Sequence, residues 1–173
     1  MAVELKYHTM KFSKREKRFW KTKFSFGLNN IPQEIEHLTF RDEFLTNEEL
    51  CFIASRVRRI EKLDLDSTSV DDEGISCLLQ MEYLGELRLV NLNITDQSIP
   101  TLLKLQSLKL LHLGSTQVSC DGILSLKELK NLRYLFASPA EIESEKLDMF
   151  LKQKPNCELT INSKPYSKID YGF

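Results

Sequence analysis

This 173-residue sequence carries none of the common catalytic signatures: it has no Gly-rich phosphate loop, no G-x-S-x-G and no H-E-x-x-H. Histidine is scarce, with only His8, His37 and His112. A nucleophile couple of His112 with Cys120 is not expected, because Cys120 falls in a turn leading away from the strand that carries the histidine. The four cysteines, Cys51, Cys77, Cys120 and Cys157, form no C-x-x-C pair and have no His at ligand spacing. Buried reduced thiols are therefore expected rather than zinc or disulfides, and no metal or cofactor is expected. Long apolar runs are also missing, and the first residues lack the charged-then-apolar order of a secretory signal. The expectation is a non-enzymatic, cytoplasmic protein.

What the chain does contain is one apolar frame used five times. It reads Ile35-x-x-Leu38-x-Phe40, Ile60-x-x-Leu63-x-Leu65, Leu84-x-x-Leu87-x-Leu89, Leu108-x-x-Leu111-x-Leu113 and Leu132-x-x-Leu135-x-Ala137. Successive frames start 25, 24, 24 and 24 residues apart, the mark of a repeat architecture. The second half of each unit repeats as well, and its period lengthens from two to between three and four, as it does when a strand gives way to a helix. Val70, Ile94, Val118 and Ile142 form one column; Ile75, Ile99, Ile123 and Leu147 form the next. Leu78, Leu102, Leu126 and Phe150 follow, with Met81, Leu105 and Leu129 a turn later. Thr46 with Glu49 reads as a capping box, and Asp71, Thr95, Ser119 and Ser144 are candidate N-caps for the other helices.

These units resemble leucine-rich repeats of the ribonuclease-inhibitor-like kind, in which a short parallel strand lines a concave face and a helix backs it. The stretches Thr68-Ser-Val70-Asp-Asp-Glu-Gly74-Ile75 and Thr116-Gln-Val118-Ser-Cys-Asp-Gly122-Ile123 are similar to a 24-residue variant common in bacterial proteins. Lys154-Pro155-Asn156-Cys157-Glu158-Leu159 resembles the close of such arrays. The units depart from the commonest pattern at Thr68, Leu92, Thr116 and Ala140, where Asn or Cys is usual, so a continuous buried Asn ladder is not expected there. The resemblance implies an α/β leucine-rich-repeat solenoid, a right-handed arc with parallel strands on the concave face and helices on the convex face. It also implies protein partners, without naming one.

One domain is expected, with residues 1–34 as an N-terminal cap, 35–161 as the repeats and 162–173 as a tail. The cap is basic: eight Lys and Arg stand against three Glu, a net +5 in a chain whose total is −1, which leaves −6 for the rest. Trp20, Thr22, Phe24, Phe26 and Leu28 alternate with polar residues, as in a strand with an aromatic inner face. With Tyr7, Met10 and Phe12 before Ser13-Lys-Arg-Glu-Lys-Arg18, this predicts a β-hairpin cap that turns near Lys14 to Lys17. The tail, ending in Tyr171 and Phe173, is expected to fold back over the last strand edge, which would otherwise invite pairing with another chain.

Residues flanking the second and third apolar positions of each frame point out of the concave sheet. One row is then His37, Lys62, Glu86, Leu110, Tyr134 and Glu158; a second is Thr39, Asp64, Arg88, His112, Phe136 and Thr160. A third is Arg41, Asp66, Val90, Gly114, Ser138 and Asn162. The early strands present the charges of Lys62, Asp64, Asp66 and Arg88, whereas the later ones gather apolar side chains around His112. Arg88, Leu110, His112, Tyr134 and Phe136 are the expected partner-binding residues of a protein-interaction module that is monomeric when free, an adaptor or an immunity-type inhibitor. Nucleic acid or a membrane surface is the less expected partner. Either would act through the basic residues Lys11, Lys14, Arg15, Lys17, Arg18, Lys21 and Lys23.

Overall fold

The computed structural model describes residues 13–24 and 31–167. Because each unit returns the chain to the same point 24 or 25 residues later, the strands stack side by side in chain order. These are β1 (Glu34–Thr39), β2 (Arg59–Asp64), β3 (Tyr83–Arg88), β4 (Leu110–Leu113), β5 (Tyr134–Ala137) and β6 (Glu158–Ile161), all parallel. The register follows the repeat: Leu38 pairs with Leu63, Leu63 with Leu87, Leu87 with Leu111, Leu111 with Leu135 and Leu135 with Leu159. All six leucines are buried, which makes one apolar column running the length of the arc. Alternating helices, α2 (Asn47–Ala54), α3 (Asp72–Ile75), α4 (Ile99–Leu102), α5 (Cys120–Ser125) and α6 (Ser144–Gln153), complete a generic leucine-rich-repeat-like solenoid. Short 3-10 turns extend α3 and α5 and precede α4.

The turn out of each strand reuses one backbone device. Asp42, Ser67, Asn91 and Ser115 occupy equivalent positions with φ between 54° and 58°, the left-handed region that short polar side chains tolerate best. The next equivalent is Pro139, whose ring holds φ negative, so the fifth unit leaves its strand differently. Beyond it Ile142, expected in the same buried column as Val70, Ile94 and Val118, is 47% exposed.

Four helix starts form the predicted side-chain caps. Thr46 and Glu49 make the capping box, Asp71 accepts from the Glu73 amide, Thr95 from Gln97, and Ser119 from Asp121 and Gly122. The expected cap at Ser144 does not form: Ser144 already lies inside α6, and Glu143 stands at the cap without a side-chain bond.

A polar ladder crosses the repeats one residue beyond these caps, at a column that does not stand out in the sequence. The Asp71 amide donates to Asn47 Oδ1 (3.2 Å), Thr95 N–H to Asp72 Oδ1 (2.9 Å) and Ser119 N–H to Asp96 Oδ1 (2.9 Å). The last rung is weak, with Glu143 N–H on Cys120 Sγ at 3.5 Å. Gly74 and Gly122 make room for it, since a Cβ at either would stand 2.2 or 2.3 Å from Asn47 Oδ1 or Asp96 Oδ1.

The cysteines differ from expectation in one respect. Cys51 on α2 and Cys77 in the turn after α3 are joined by a disulfide, with Cα atoms 5.0 Å apart, which cross-links the first two units; Cys120 and Cys157 are free and buried. Adjacent units place their helical columns within bonding reach, and no local C-x-x-C spacing announces that contact.

The N-terminal cap also differs. The residues expected to hold a hairpin turn and the start of a strand form a helix, α1 (Lys14–Lys23), so the β-hairpin is corrected to a helix there. Trp20 and Phe24 are buried, but Thr22, expected on the same inner face, is exposed. Positions 20 and 24 satisfy a helix's i, i+4 spacing as well as a strand's alternation, and the Lys/Arg/Glu run before them favours helix. The Trp20 ring meets Phe40 and Phe52 at 6.0 and 6.4 Å and so closes the first unit. Tyr7, Met10, Phe12, Phe26 and Leu28 lie outside the described residues.

At the other end Lys164–Pro165 (β7) turns back antiparallel to β6, the direction expected of the tail, whose end with Tyr171 and Phe173 lies outside the described residues. Tyr166 secures it: its amide donates to Leu159 O (2.8 Å) and its hydroxyl to Asp148 Oδ1 (3.1 Å). Among the described residues no helix is long and apolar enough to cross a membrane.

Candidate functional site on the concave face

Parallel register brings the five candidate residues side by side. Glu86 pairs with Leu110 and Leu110 with Tyr134; Arg88 pairs with His112 and His112 with Phe136. Strand neighbours are about 4.8 Å apart, so these side chains share one patch on β3, β4 and β5. Their inner neighbours Leu111, Leu113 and Leu135 are buried, whereas Tyr134 is 43% exposed and Leu110, His112 and Phe136 are half-buried.

His112 is held by its surroundings rather than by hydrogen bonds. Its ring meets Phe136 edge-on at 5.0 Å, and its Nε2 lies toward Gly114, where a Cβ would come within 3.1 Å. Its Nδ1 is buried with no hydrogen-bond partner. Burial, reinforced by the Arg88 charge, lowers the imidazole pKa below its ordinary value, which favours the neutral ring.

The charged half of the face departs from the sequence expectation. Asp64 and Asp66, expected as exposed charges, are only 6% and 5% exposed. Arg41 reaches down between them, at 2.7 Å from Asp64 Oδ2 and 3.1 Å from Asp66 Oδ2. Arg88 holds Asp66 Oδ2 at 2.7 Å and stands 3.6 Å from Asp64, so its main partner is Asp66 rather than its row neighbour Asp64. Backbone groups take the remaining oxygens: Asp66 N–H donates to Asp64 Oδ1 (3.0 Å) and Val90 N–H to Asp66 Oδ1 (2.8 Å). Two buried carboxylates are thereby matched by two guanidinium groups, which is the condition for burying such charges at all. The register already placed Arg41 beside Asp66; what sequence lacks is the reach of the arginine stems that bury both acids.

Lys62 similarly pairs with Glu86 at 3.4 Å, and Lys109 reaches across Gly85 to Glu61 at 2.9 Å. Beside these, an open cleft of about 370 Å³ is lined by Glu34, Ile35, Glu36, Arg59, Glu61 and Tyr83. The Arg59 guanidinium covers the Tyr83 ring there at 4.3 Å.

His112 and Cys120 are not brought together. Cys120 is buried on α5, where its thiol contacts the Glu141 carbonyl at 3.4 Å. Among the described residues no group of three or more His, Cys, Asp or Glu side chains is placed to hold a metal ion. No protein-family model and no curated protein matches this chain.

Proposed function

We propose that the chain is a non-enzymatic protein-binding module of the ribonuclease-inhibitor-like repeat kind, an adaptor or an immunity-type inhibitor. Its partner sits on the concave face, centred on Arg88, Leu110, His112, Tyr134 and Phe136. The observation that carries this reading is the cluster of Leu110, Tyr134 and Phe136 on outward positions of adjacent strands, outside the core of their own units. Aromatic side chains placed this way contribute little to folding and concentrate binding energy where a partner excludes water. A stacked sheet is rigid beforehand, so binding loses little conformational entropy. On the N-terminal side of the patch Arg41, Asp64, Asp66 and Arg88 neutralise one another, which leaves apolar contact as the main attraction. The compartment that suits the module is one that keeps the Cys51–Cys77 bond closed. That weighs against the cytoplasmic setting expected from sequence.

The test uses a photo-crosslinking amino acid at position 134 to trap the partner in native extract, followed by calorimetry with the purified pair. Tyr134→Ala and Phe136→Ala should each weaken binding by about 2 kcal/mol or more while leaving the fold intact. Undiminished affinity in the double variant moves the site elsewhere.

A further inference from the structure

Folding residues 14–23 as a helix rearranges the basic cap. Lys14, Lys17, Arg18 and Lys21 fall at i, i+3, i+4 and i+7, a single face of α1, and all four are exposed. None of the four has an acidic partner within 4.0 Å among the described residues. Lys23 is engaged differently: it folds back onto Glu43 (2.6 Å) and the Thr39 carbonyl (2.9 Å), with its amine over the Phe40 ring. Trp20 and Phe24 anchor the helix in the core of the first unit. The result is a rigidly seated cationic stripe about 10 Å long at 1.5 Å per residue.

We infer that this stripe docks on the sugar-phosphate backbone of duplex nucleic acid, without reading its sequence. Phosphate binding requires only positioned point charges, which the stripe supplies. Stacking on bases would need exposed aromatics, and Trp20 and Phe24 are buried. Membrane association of a basic helix depends on an apolar face sinking into the acyl boundary, and here that face is occupied by the protein's own core. The −6 balance of residues 35–173 does not cancel the attraction. It is spread along an arc of six parallel strands, most of which lies beyond the roughly 8 Å Debye length at physiological salt. The stripe lies at the first unit and the aromatic patch on β3 to β5, so the inference stands or falls independently of the concave-face reading.

The experiment titrates the full chain into a fluorescently labelled duplex of roughly 20 base pairs at about 50 and about 200 mM salt. Four displaced counterions predict a slope near −3.6 in log affinity against log salt, or a loss of about 10²-fold across that range. Replacing Lys14, Lys17, Arg18 and Lys21 together by Gln should abolish binding at unchanged melting temperature. The milder Lys14→Gln, Lys17→Gln pair, which serves if the quadruple variant is unstable, should flatten the slope by about 1.8. Failure of the parent to bind duplex at low salt, a slope near zero, or a variant that binds as the parent does overturns the inference. So does binding to vesicles of phosphatidylserine and phosphatidylcholine in a roughly 3:7 ratio with the duplex left unbound.

Discussion

Asn47 and Asp71 exchange two hydrogen bonds across the first repeat boundary: Asn47 Nδ2 donates to Asp71 Oδ1 at 2.7 Å, and the Asp71 amide returns one to Asn47 Oδ1 at 3.2 Å. Asp71 is the N-cap of the second unit's helix, so a cap in one unit is positioned by the helix start of the unit before it. Asp72 goes further, accepting from the Thr95 amide, the Thr95 hydroxyl and the Ser98 hydroxyl. Neighbouring units are therefore joined by directed polar bonds as well as by the leucine columns.

Removing the Asp72 rung should be costly, because it leaves the part-buried Thr95 donors and the buried Ser98 hydroxyl unpaired. Asp72→Ala is expected to destabilise the protein by about 1–3 kcal/mol in urea unfolding. Gly74→Ala should also destabilise, by displacing Asn47 Oδ1 from its rung. A Gly74→Ala protein as stable as the parent would show the ladder to be dispensable.

Leu111 lies at the middle of the buried column, between Leu87 and Leu135. Leu111→Ala should cost about 2–5 kcal/mol, as truncation of a fully packed leucine does. Equilibrium unfolding measures it, and a value near zero would contradict the register.

The Cys51–Cys77 bond spans 26 residues and joins the first two units. Closing a loop of that size stabilises by about 2–4 kcal/mol, so dithiothreitol should lower the melting temperature of the parent and leave that of a Cys51→Ser, Cys77→Ser variant unchanged. Thiol titration in denaturant checks the chemistry: Cys120 and Cys157 alone should react before reduction. Four reactive thiols without reductant would show the bond to be absent.

His112 makes stability depend on pH. Its folded-state pKa is lowered by burial and by Arg88, so the unfolded chain takes up the proton first. Its contribution is complete above the unfolded value of about 6.5, and it is lost as pH falls through that value toward the lower folded pKa. His112→Gln should remove that part of the slope in unfolding free energy measured between about pH 7.5 and about pH 5.5. An identical slope in the variant would assign the pH dependence to other groups.

The repeat, the strand register and the membership of the concave rows were determined by the sequence alone. A fixed 24-residue period leaves one way to stack identical frames, and a period of two assigns each strand residue to a face. Arg88, Leu110, His112, Tyr134 and Phe136 could thus be placed beside one another before any coordinates. Tertiary structure decided whatever depends on contacts between units or on the reach of long side chains. Arg41 and Arg88 bury Asp64 and Asp66 by lying over them, the Asn47, Asp72 and Asp96 ladder exists only where two units meet, and Cys51 finds Cys77 across the same boundary. In the cap, the spacing of Trp20 and Phe24 suits a helix and a strand equally. The docking of the Trp20 ring against Phe40 and Phe52 goes with the helix, because local pattern is ambiguous over so short a span and packing is not.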